Sequence, residues 1–428
     1  MIFEPELETL PRDRLRALQL DRLRSLVAYA RDRVPLYRER LAGVEIRSLD
    51  DLRELPFTRK DDLRDAYPFG MLAVPRERLA RIHASSGTTG KLTVVGYTAG
   101  DLDLFARVNA RSLAMAGAEP GMVLHNAYGY GLFTGGLGIH AGGEKLGLTV
   151  VPVSGGMTER QLMLIEDFRP DVITCTPSYA LTLGQAFGER GVAPEEISLR
   201  YAVLGAEPWT EEMRGEIDAG LGVRSTNIFG LSEVIGPGVS CECVDARAGS
   251  HVNEDHFLPE VVDPDTGEPL DEGEEGVLVF TTLTKEALPL LRYWTGDITS
   301  LSSEQCVCGR TLVRMARIKG RADDMLIIRG VNVFPTQVEA VLLRVPELTP
   351  NYRIVVSRTG TLDEAEVEVE VSETFLLEAG SEGLPALEAR AERLLRETIG
   401  CSLGVACKEP GTVPRSDGGK LNRVLDRR

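Results

Sequence analysis

The sequence predicts an α/β fold: a large, multi-layered N-terminal domain with a mostly parallel sheet and a β-rich part, then a small α+β C-terminal domain. Three observations carry this. From about residue 120, short apolar runs ("GMVLHNA", "LGLTVVPV", "DVITCT", "RYAVLGAE", "VRSTNIFG") alternate with helical segments such as "TERQLMLIEDF" and "TEEMRGEIDAGL". That alternation marks a parallel sheet covered on both faces. After about residue 260, "DPDTGEPLDEGEEGVLVFTTL" reads as turn, loop and antiparallel strand. The tail then changes pattern once more, which sets it apart as its own unit.

Taken in order, residues 10–42 read as helix, with Leu15, Leu18, Leu23, Leu26 and Val27 as an apolar stripe among Arg and Asp. The parallel strands follow. Ligands on such sheets bind at the carboxyl ends of strands, which here carry "NAYGYG", "CTPSY", "GAEPW" and "FGLSE". "GRADDMLIIRG" precedes a helix in "TQVEAVLLRV", then come "YRIVVS", alternating "EAEVEVEV", a long helix near 383–399 and "GVACKE". The boundary falls near 321–324, giving domains 1–322 and 323–428. There is no internal repeat and no low-complexity tract.

Composition narrows the function. The chain has 428 residues, 43% apolar and 26% charged, with a net charge of −17. That size allows two or three domains. The charge argues against nucleic acid or an anionic membrane as partner, because both need basic patches. It leaves room for a small anionic substrate held by a few local cations. No apolar run reaches the roughly 18 residues that span a bilayer. The start, "MIFEPELETLPRDRL", carries early charges and no secretory h-region. Seven cysteines are an odd number in a long chain, not a disulfide framework. A reducing cytoplasm is the expectation.

The stretch "SSGTTGKLT" looks suited to phosphate, since a Ser/Thr/Gly loop offers backbone N–H groups and hydroxyls. It fails the Walker A pattern at both ends: Ser85 stands where the first Gly belongs, and Leu92 follows Lys91. Taken alone it is also compatible with a plain polar turn. With "AYGYGLFTGGLG", "TPSY", "GAEPWTEEMR", "FGLSEVIGPGV", "EDHFLPEVVDP", "FTTLTKEALPLLRY", "GRADDMLIIRGVNVFP" and "VPRSDGGKLNRVLDRR" in order, the sequence resembles the phenylacetate–coenzyme A ligases of the adenylate-forming superfamily. The likeness runs from about residue 10 to the end.

That resemblance implies the chemistry. ATP converts a carboxylate to an acyl-adenylate, and coenzyme A displaces AMP to give a thioester. It implies a phosphate loop at Ser85, Ser86, Gly87, Thr88, Thr89, Gly90 and Lys91, with Thr88 and Thr89 acting in catalysis. It implies adenylate contacts at Gly205, Ala206, Glu207 and Pro208, and at Asn227, Ile228, Phe229, Gly230, Leu231 and Ser232. Phe229 lies flat on the base, where many relatives have Tyr. Glu233 is the implied magnesium carboxylate, in keeping with the preference of Mg²⁺ for one or two carboxylates plus phosphate oxygens. Asp297 grips the ribose hydroxyls, Arg321 is the next ribose or phosphate contact, and Asp323 is the hinge of a mobile C-terminal domain. Lys420 is the implied catalytic lysine, a point charge for the α-phosphate. Two glycines precede it where relatives usually show one.

Tyr128, Tyr130, Gly131 and Phe133 suit a flat apolar ring, with Ala206 and Ile235 closing the pocket; the aromatics equally suit core packing. Cys241, Cys243, His251, Cys306 and Cys308 supply the soft and borderline ligands of structural zinc. In the matching family pattern the set is Cys243, His251, Cys306 and Cys308, without Cys241; buried free thiols are the alternative. The expectation is an ATP- and Mg²⁺-dependent arylacetate–coenzyme A ligase, cytoplasmic and homodimeric, with structural Zn²⁺. Two rivals stay open: an enzyme for another aryl acid or AMP acceptor, and a nucleotide-binding regulatory protein.

Overall fold

A computed structural model describes residues 1–85, 92–322, 326–328, 331–359, 362–415 and 423–427, with the side chains of Ser85, Arg321, Ile327, Val331, Asn332, Arg358, Thr359, Leu362 and Asp363 left out. The expected phosphate-loop residues 86–91, the hinge Asp323 and Lys420 lie outside the described residues. Two units form: residues 1–175, 197–206 and 223–317, and residues 176–196, 207–222 and 318–428.

The first unit opens with helices α1 (Pro5–Glu8), α2 (Arg12–Arg33), α3 (Pro35–Arg40) and α4 (Lys60–Asp65). The single helix expected over 10–42 is therefore two. Val34 precedes a proline and is extended (φ −106°, ψ 120°), because the Pro35 ring crowds the residue before it out of helical space. The apolar stripe itself is real: Leu15, Leu23, Leu26 and Val27 are buried. Strands β1 (Arg81–Ser85) and β2 (Thr93–Tyr97) pair antiparallel, with Ser85 opposite Thr93.

The main sheet uses β3 (Val123–Asn126), β4 (Thr149–Val151), β5 (Val172–Cys175), β6 (Tyr201–Gly205), β7 (Arg224–Leu231), β8 (Gly236–Glu242), β9 (Ser250–Val252), β13 (Leu301–Ser302) and β14 (Arg314–Met315). Their order is β13-β14-β9-β8-β7-β6-β5-β3-β4. The run from β4 through β7 is parallel, as expected. From β8 outward every pairing is antiparallel. Strands β10 (Phe257–Val262), β11 (Gly276–Thr282) and β12 (Tyr293–Thr299) pair antiparallel in a second sheet.

Helices α5 (Ala99–Met115), α6 (Gly135–Leu146) and α7 (Thr158–Phe168) complete this unit. A reciprocal capping box starts α5: the Asp101 N–H donates to Thr98 Oγ1 and the Thr98 N–H to Asp101 Oδ2, both at 3.0 Å. Glycines let α6 approach α5 closely. A Cβ on Gly138 would lie 2.1 Å from the Phe105 ring, and one on Gly142 would lie 2.4 Å from Asn109 Cβ.

The second unit holds α8 (Pro177–Glu189) and α9 (Glu211–Leu221), then β15 (Gly320–Arg321), β16 (Leu326–Ile328), β17 (Val331–Val333) and α10 (Pro335–Leu342). Next come β18 (Leu348–Thr359), β19 (Leu362–Val371), α11 (Glu373–Ala379), α12 (Leu384–Ile399), β20 (Gly404–Lys408) and β21 (Val424–Asp426). A four-stranded sheet runs β20-β19-β18-β21. The alternation of "EAEVEVEV" buries Ala365, Val367, Val369 and Val371 against Val338, Leu342, Leu387 and Leu395 of α10 and α12. Glu370 breaks the alternation: it is buried, accepting from Val413 N–H and Arg415 Nη2, each at 2.7 Å.

Candidate active site and metal cluster

The site grows from the turn between β7 and β8. Strand β7 is the last parallel strand, so its carboxyl end faces the side where ligands gather. Beyond it, residues 232–235 turn tightly, with the N–H groups of Val234 and Ile235 donating to the Leu231 carbonyl, both at 3.1 Å. The pinch requires glycine: a Cβ on Gly230 would sit 1.8 Å from the Gly236 carbonyl oxygen. Glu233 stands on this turn and is 5% exposed. A carboxylate so buried needs cations nearby. Lys60 Nζ lies 3.7 Å from its Oε1, and Lys285 Nζ donates to its backbone carbonyl at 3.0 Å. Ser232 Oγ lies 3.3 Å from Thr134 Oγ1 of the turn before α6.

Neither lysine was singled out in the sequence. Lys285 carried a signal: it is a lone cation in the apolar stretch "GVLVFTTLTKEALPLL", where burial demands a partner. Lys60 carried none, because "TRKDD" reads as a solvated charge run.

At the neighbouring strand end, a Cβ on Gly205 would meet the Ile228 carbonyl oxygen at 2.1 Å, and Ala206 has φ +76°. A non-glycine residue in the left-handed region marks a turn that its surroundings hold. Asn227 and Ile228 lie inside β7, where the Asn227 N–H donates to Glu242 Oε2 at 2.8 Å. Phe229 is half-buried, its ring stacked on Phe280 with centroids 6.3 Å apart. Asp297 on β12 is 9% exposed, its N–H donating to Thr295 Oγ1. Nearby, Trp294 packs edge-on against Phe57 with Arg59 over its face at 4.2 Å. Glu207 belongs to the second unit, where it accepts from the Ser178 N–H at 2.6 Å at the start of α8. Pro208 is exposed in that unit.

The phosphate-loop candidates sit between paired strands. Ser85 lies opposite Thr93 in the antiparallel pair of β1 and β2, whereas a Walker loop joins a strand to a helix. The Lys420 segment has firm flanks: Arg415 pairs with buried Glu370, and Arg423 with buried Glu339 at 3.7 Å while lying over the Tyr352 ring.

In the acid-pocket stretch, Tyr128 is 3% exposed and clusters with Ile139 and Ile228, with Ala206 against that cluster. Tyr130 is half-buried, and its hydroxyl accepts from Asn126 Nδ2 at 2.8 Å and contacts His140 Nδ1 at 3.1 Å. Burial pushes that phenol up to about 12. Gly131 has φ +152°. Phe133 is 39% exposed and Ile235 is fully buried. The stretch thus divides into a core-facing Tyr128 and an outward Phe133.

Cys243, His251, Cys306 and Cys308 converge, their ligand atoms all within 4.8 Å of one another. Cys243 follows β8, His251 is in β9, and the other two lie between β13 and β14. Cys243 Sγ is 3.6 Å from Cys306 Sγ, and Cys308 Sγ is 3.4 Å from His251 Nε2. The edges of a tetrahedron around zinc, with Zn–S of about 2.3 Å and Zn–N of about 2.0 Å, are about 3.5–3.8 Å. The donor set therefore fits the metal. His251 Nδ1 lies 3.5 Å from the Leu312 carbonyl, which orients Nε2 inward. The Cys308 thiol is lowered, first by hydrogen bonding with Cys243 and further by His251. Cys241 is outside the cluster: its thiol points to the Ser112 carbonyl and burial raises it.

Residues 30–283 match the AMP-binding enzyme family, and residues 330–428 match the AMP-binding enzyme C-terminal domain. The chain belongs to the AMP-binding enzymes. Within that family it is 68% identical to a phenylacetate-coenzyme A ligase of Thermus thermophilus, over 100% of both chains. It is 51% identical to a phenylacetate-coenzyme A ligase of Aromatoleum evansii, over 100% of this chain and 97% of the other. Among solved structures, 2-hydroxyisobutyryl-CoA ligase in the postadenylation state with 2-HIB-AMP has a TM-score of 0.93 at 28% identity, covering 99% of this chain and 92% of that one. The fold is that of the adenylate-forming enzymes, and the resemblance read from the motifs holds over the whole chain. No helix among the described residues is long and apolar enough to cross a membrane.

Proposed function

We infer that the chain joins phenylacetate to coenzyme A with ATP, through an acyl-adenylate, releasing AMP and pyrophosphate. The observation that carries this is the buried Glu233 carboxylate at the end of the last parallel strand, in a chain so close to phenylacetate-coenzyme A ligases along its full length. In the first step a carboxylate oxygen of the acid attacks the α-phosphorus of ATP, and the bond to the bridging oxygen breaks so that pyrophosphate leaves. In the second, the sulfur of coenzyme A attacks the acyl carbon, the thiol proton is lost, and AMP departs with the electron pair. Positioning and charge neutralisation supply most of the acceleration in such transfers.

In this proposal Gly205, Ala206, Asn227 and Phe229 hold the adenine side and Asp297 the ribose. Arg321 contacts the ribose or a phosphate. Ser85, Ser86, Gly87, Thr88, Thr89, Gly90 and Lys91 grip the leaving pyrophosphate. Glu233 would hold magnesium, which when bound neutralises phosphate charge. Lys420 acts in the first step alone, on a C-terminal domain hinged at Asp323. Tyr130, Phe133 and Ile235 border the ring of the acid, and zinc at the four-ligand cluster is structural. The proposed setting is cytoplasmic and homodimeric, and a monomer mass by light scattering would refute the dimer.

The test is acid-dependent exchange of pyrophosphate into ATP over a panel of arylacetic and benzoic acids, followed by thioester formation on adding coenzyme A. Phenylacetate is expected to lead the panel. Exchange without thioester would mean another acceptor, and no exchange in folded protein that binds ATP would mean a regulatory protein.

A further inference from the structure

Among the described residues near this turn, Lys285 stands out because the reaction scheme leaves its burial unexplained. It is 2% exposed and follows β11. Its ammonium donates to the Glu233 carbonyl at 3.0 Å and lies 4.9 Å over the Tyr97 ring. The backbone beside it is bolted to α5: Asp101 Oδ1 accepts from the Glu286 N–H at 2.7 Å, and Oδ2 from the Ala287 N–H at 2.9 Å. Tyr97 in turn donates its hydroxyl to the Ile235 carbonyl at 2.9 Å. Two donors thus hold two carbonyls of the 232–235 turn, one of them a full charge.

Burying an ammonium costs several kcal/mol unless neighbours compensate it. Here the Glu233 carbonyl, which accepts from the ammonium, and the Tyr97 ring face beneath it supply that compensation. If only packing were needed, methionine would fill the same volume without that cost. A cation retained on the carbonyl of the very residue whose carboxylate is assigned to magnesium points to work done on that residue.

We propose that Lys285 is a positioning residue for Glu233, fixing the turn and so the direction from which the Glu233 carboxylate meets the magnesium of MgATP. It acts through Glu233 and does not itself touch the nucleotide. The inference rests on Glu233 being the magnesium ligand, and its test separates the two.

Mn²⁺ replaces Mg²⁺ as a spectroscopic probe, and its binding to the enzyme–ATP complex without acid is titrated by electron paramagnetic resonance. Outer-shell partners of metal ligands contribute about 10–100-fold in affinity, so Lys285→Met is expected to weaken Mn²⁺ at least about ten-fold. The Mg²⁺ needed for half-maximal exchange should rise in parallel, while the KM for phenylacetate stays within about two-fold. Lys285→Arg, which keeps a charged donor, should recover most of the loss. Should Lys285→Met not fold, Lys285→Gln, a shorter neutral donor, is expected to weaken Mn²⁺ in the same direction. Glu233→Gln runs alongside. If it leaves Mn²⁺ binding unchanged, the magnesium role of Glu233 falls and the proposal with it. If it weakens Mn²⁺ while a folded neutral Lys285 variant does not, the positioning role alone is refuted.

Discussion

Removing zinc from the four-ligand cluster should soften the first unit without stopping the chemistry. The perturbation is Cys306→Ser with Cys308→Ser, which leaves Cys243 and His251 in place. The magnitude follows from chain connectivity. Cys243 and Cys306 are 63 positions apart, and a cross-link closing a loop of that length removes about 4 kcal/mol of entropy from the unfolded chain. Spread over the unfolding entropy of the first unit, about 280 residues, this is a fall in melting temperature of about 7 °C. Calorimetry gives the melting temperature, and metal analysis of protein purified without added zinc gives the occupancy. Wild type should carry close to one zinc per chain and the double variant almost none. Exchange activity per folded chain should stay within about three-fold, since separate sites couple weakly. Cys241→Ser should keep its zinc. Fewer than about 0.2 zinc per chain in wild type, against the full occupancy of a closed site, would refute the reasoning.

Three other predictions follow from named residues. Lys420→Ala should lower adenylation about 10²–10³-fold yet largely keep thioester formation from supplied acyl-adenylate; equal loss in both halves removes Lys420 from its role. Gly142→Ala should destabilise by about 1–3 kcal/mol by overpacking against Asn109, despite a helix-propensity gain of about 1 kcal/mol; urea unfolding checks it, and a neutral or stabilising result refutes the close packing. Burial pushes His256 down to about 3, so it stays neutral in the folded chain while the unfolded chain protonates it below about 6.5. The unfolded state then binds more protons, and stability falls with acid between about pH 6.5 and 3 at about 1.4 kcal/mol per unit. His256→Gln should flatten that slope, and an unchanged slope would refute the assignment.

The parallel strands were legible as short runs rich in apolar residues that alternate with helical segments, the pattern left by a sheet buried on both faces. The break at Val34 was legible too, in the proline that follows it, but a continuous leucine stripe spoke louder. The convergence of Cys243, His251, Cys306 and Cys308 was legible from their ligand chemistry together with the family pattern, which sets Cys241 aside. The Glu233 surroundings were not: Lys60 and Lys285 lie 173 and 52 positions from it, and only the assembled sheets bring them near. The aromatic stretch was half-readable. Its residues hinted at a pocket, yet which ring turns inward depends on α6, whose glycines admit Phe105 and Asn109.

The metal cluster also bears on how the protein fails. With the proposed zinc bound, Cys243, His251, Cys306 and Cys308 would tie the loop between β13 and β14 to β8 and β9, and β13 is the two-residue outer strand of the nine-stranded sheet. An outer strand released from its sheet exposes unpaired N–H and C=O groups, a template for pairing with another chain. In a cell short of zinc, the first sign of trouble would then be insoluble enzyme, with the soluble fraction turning over at its usual rate.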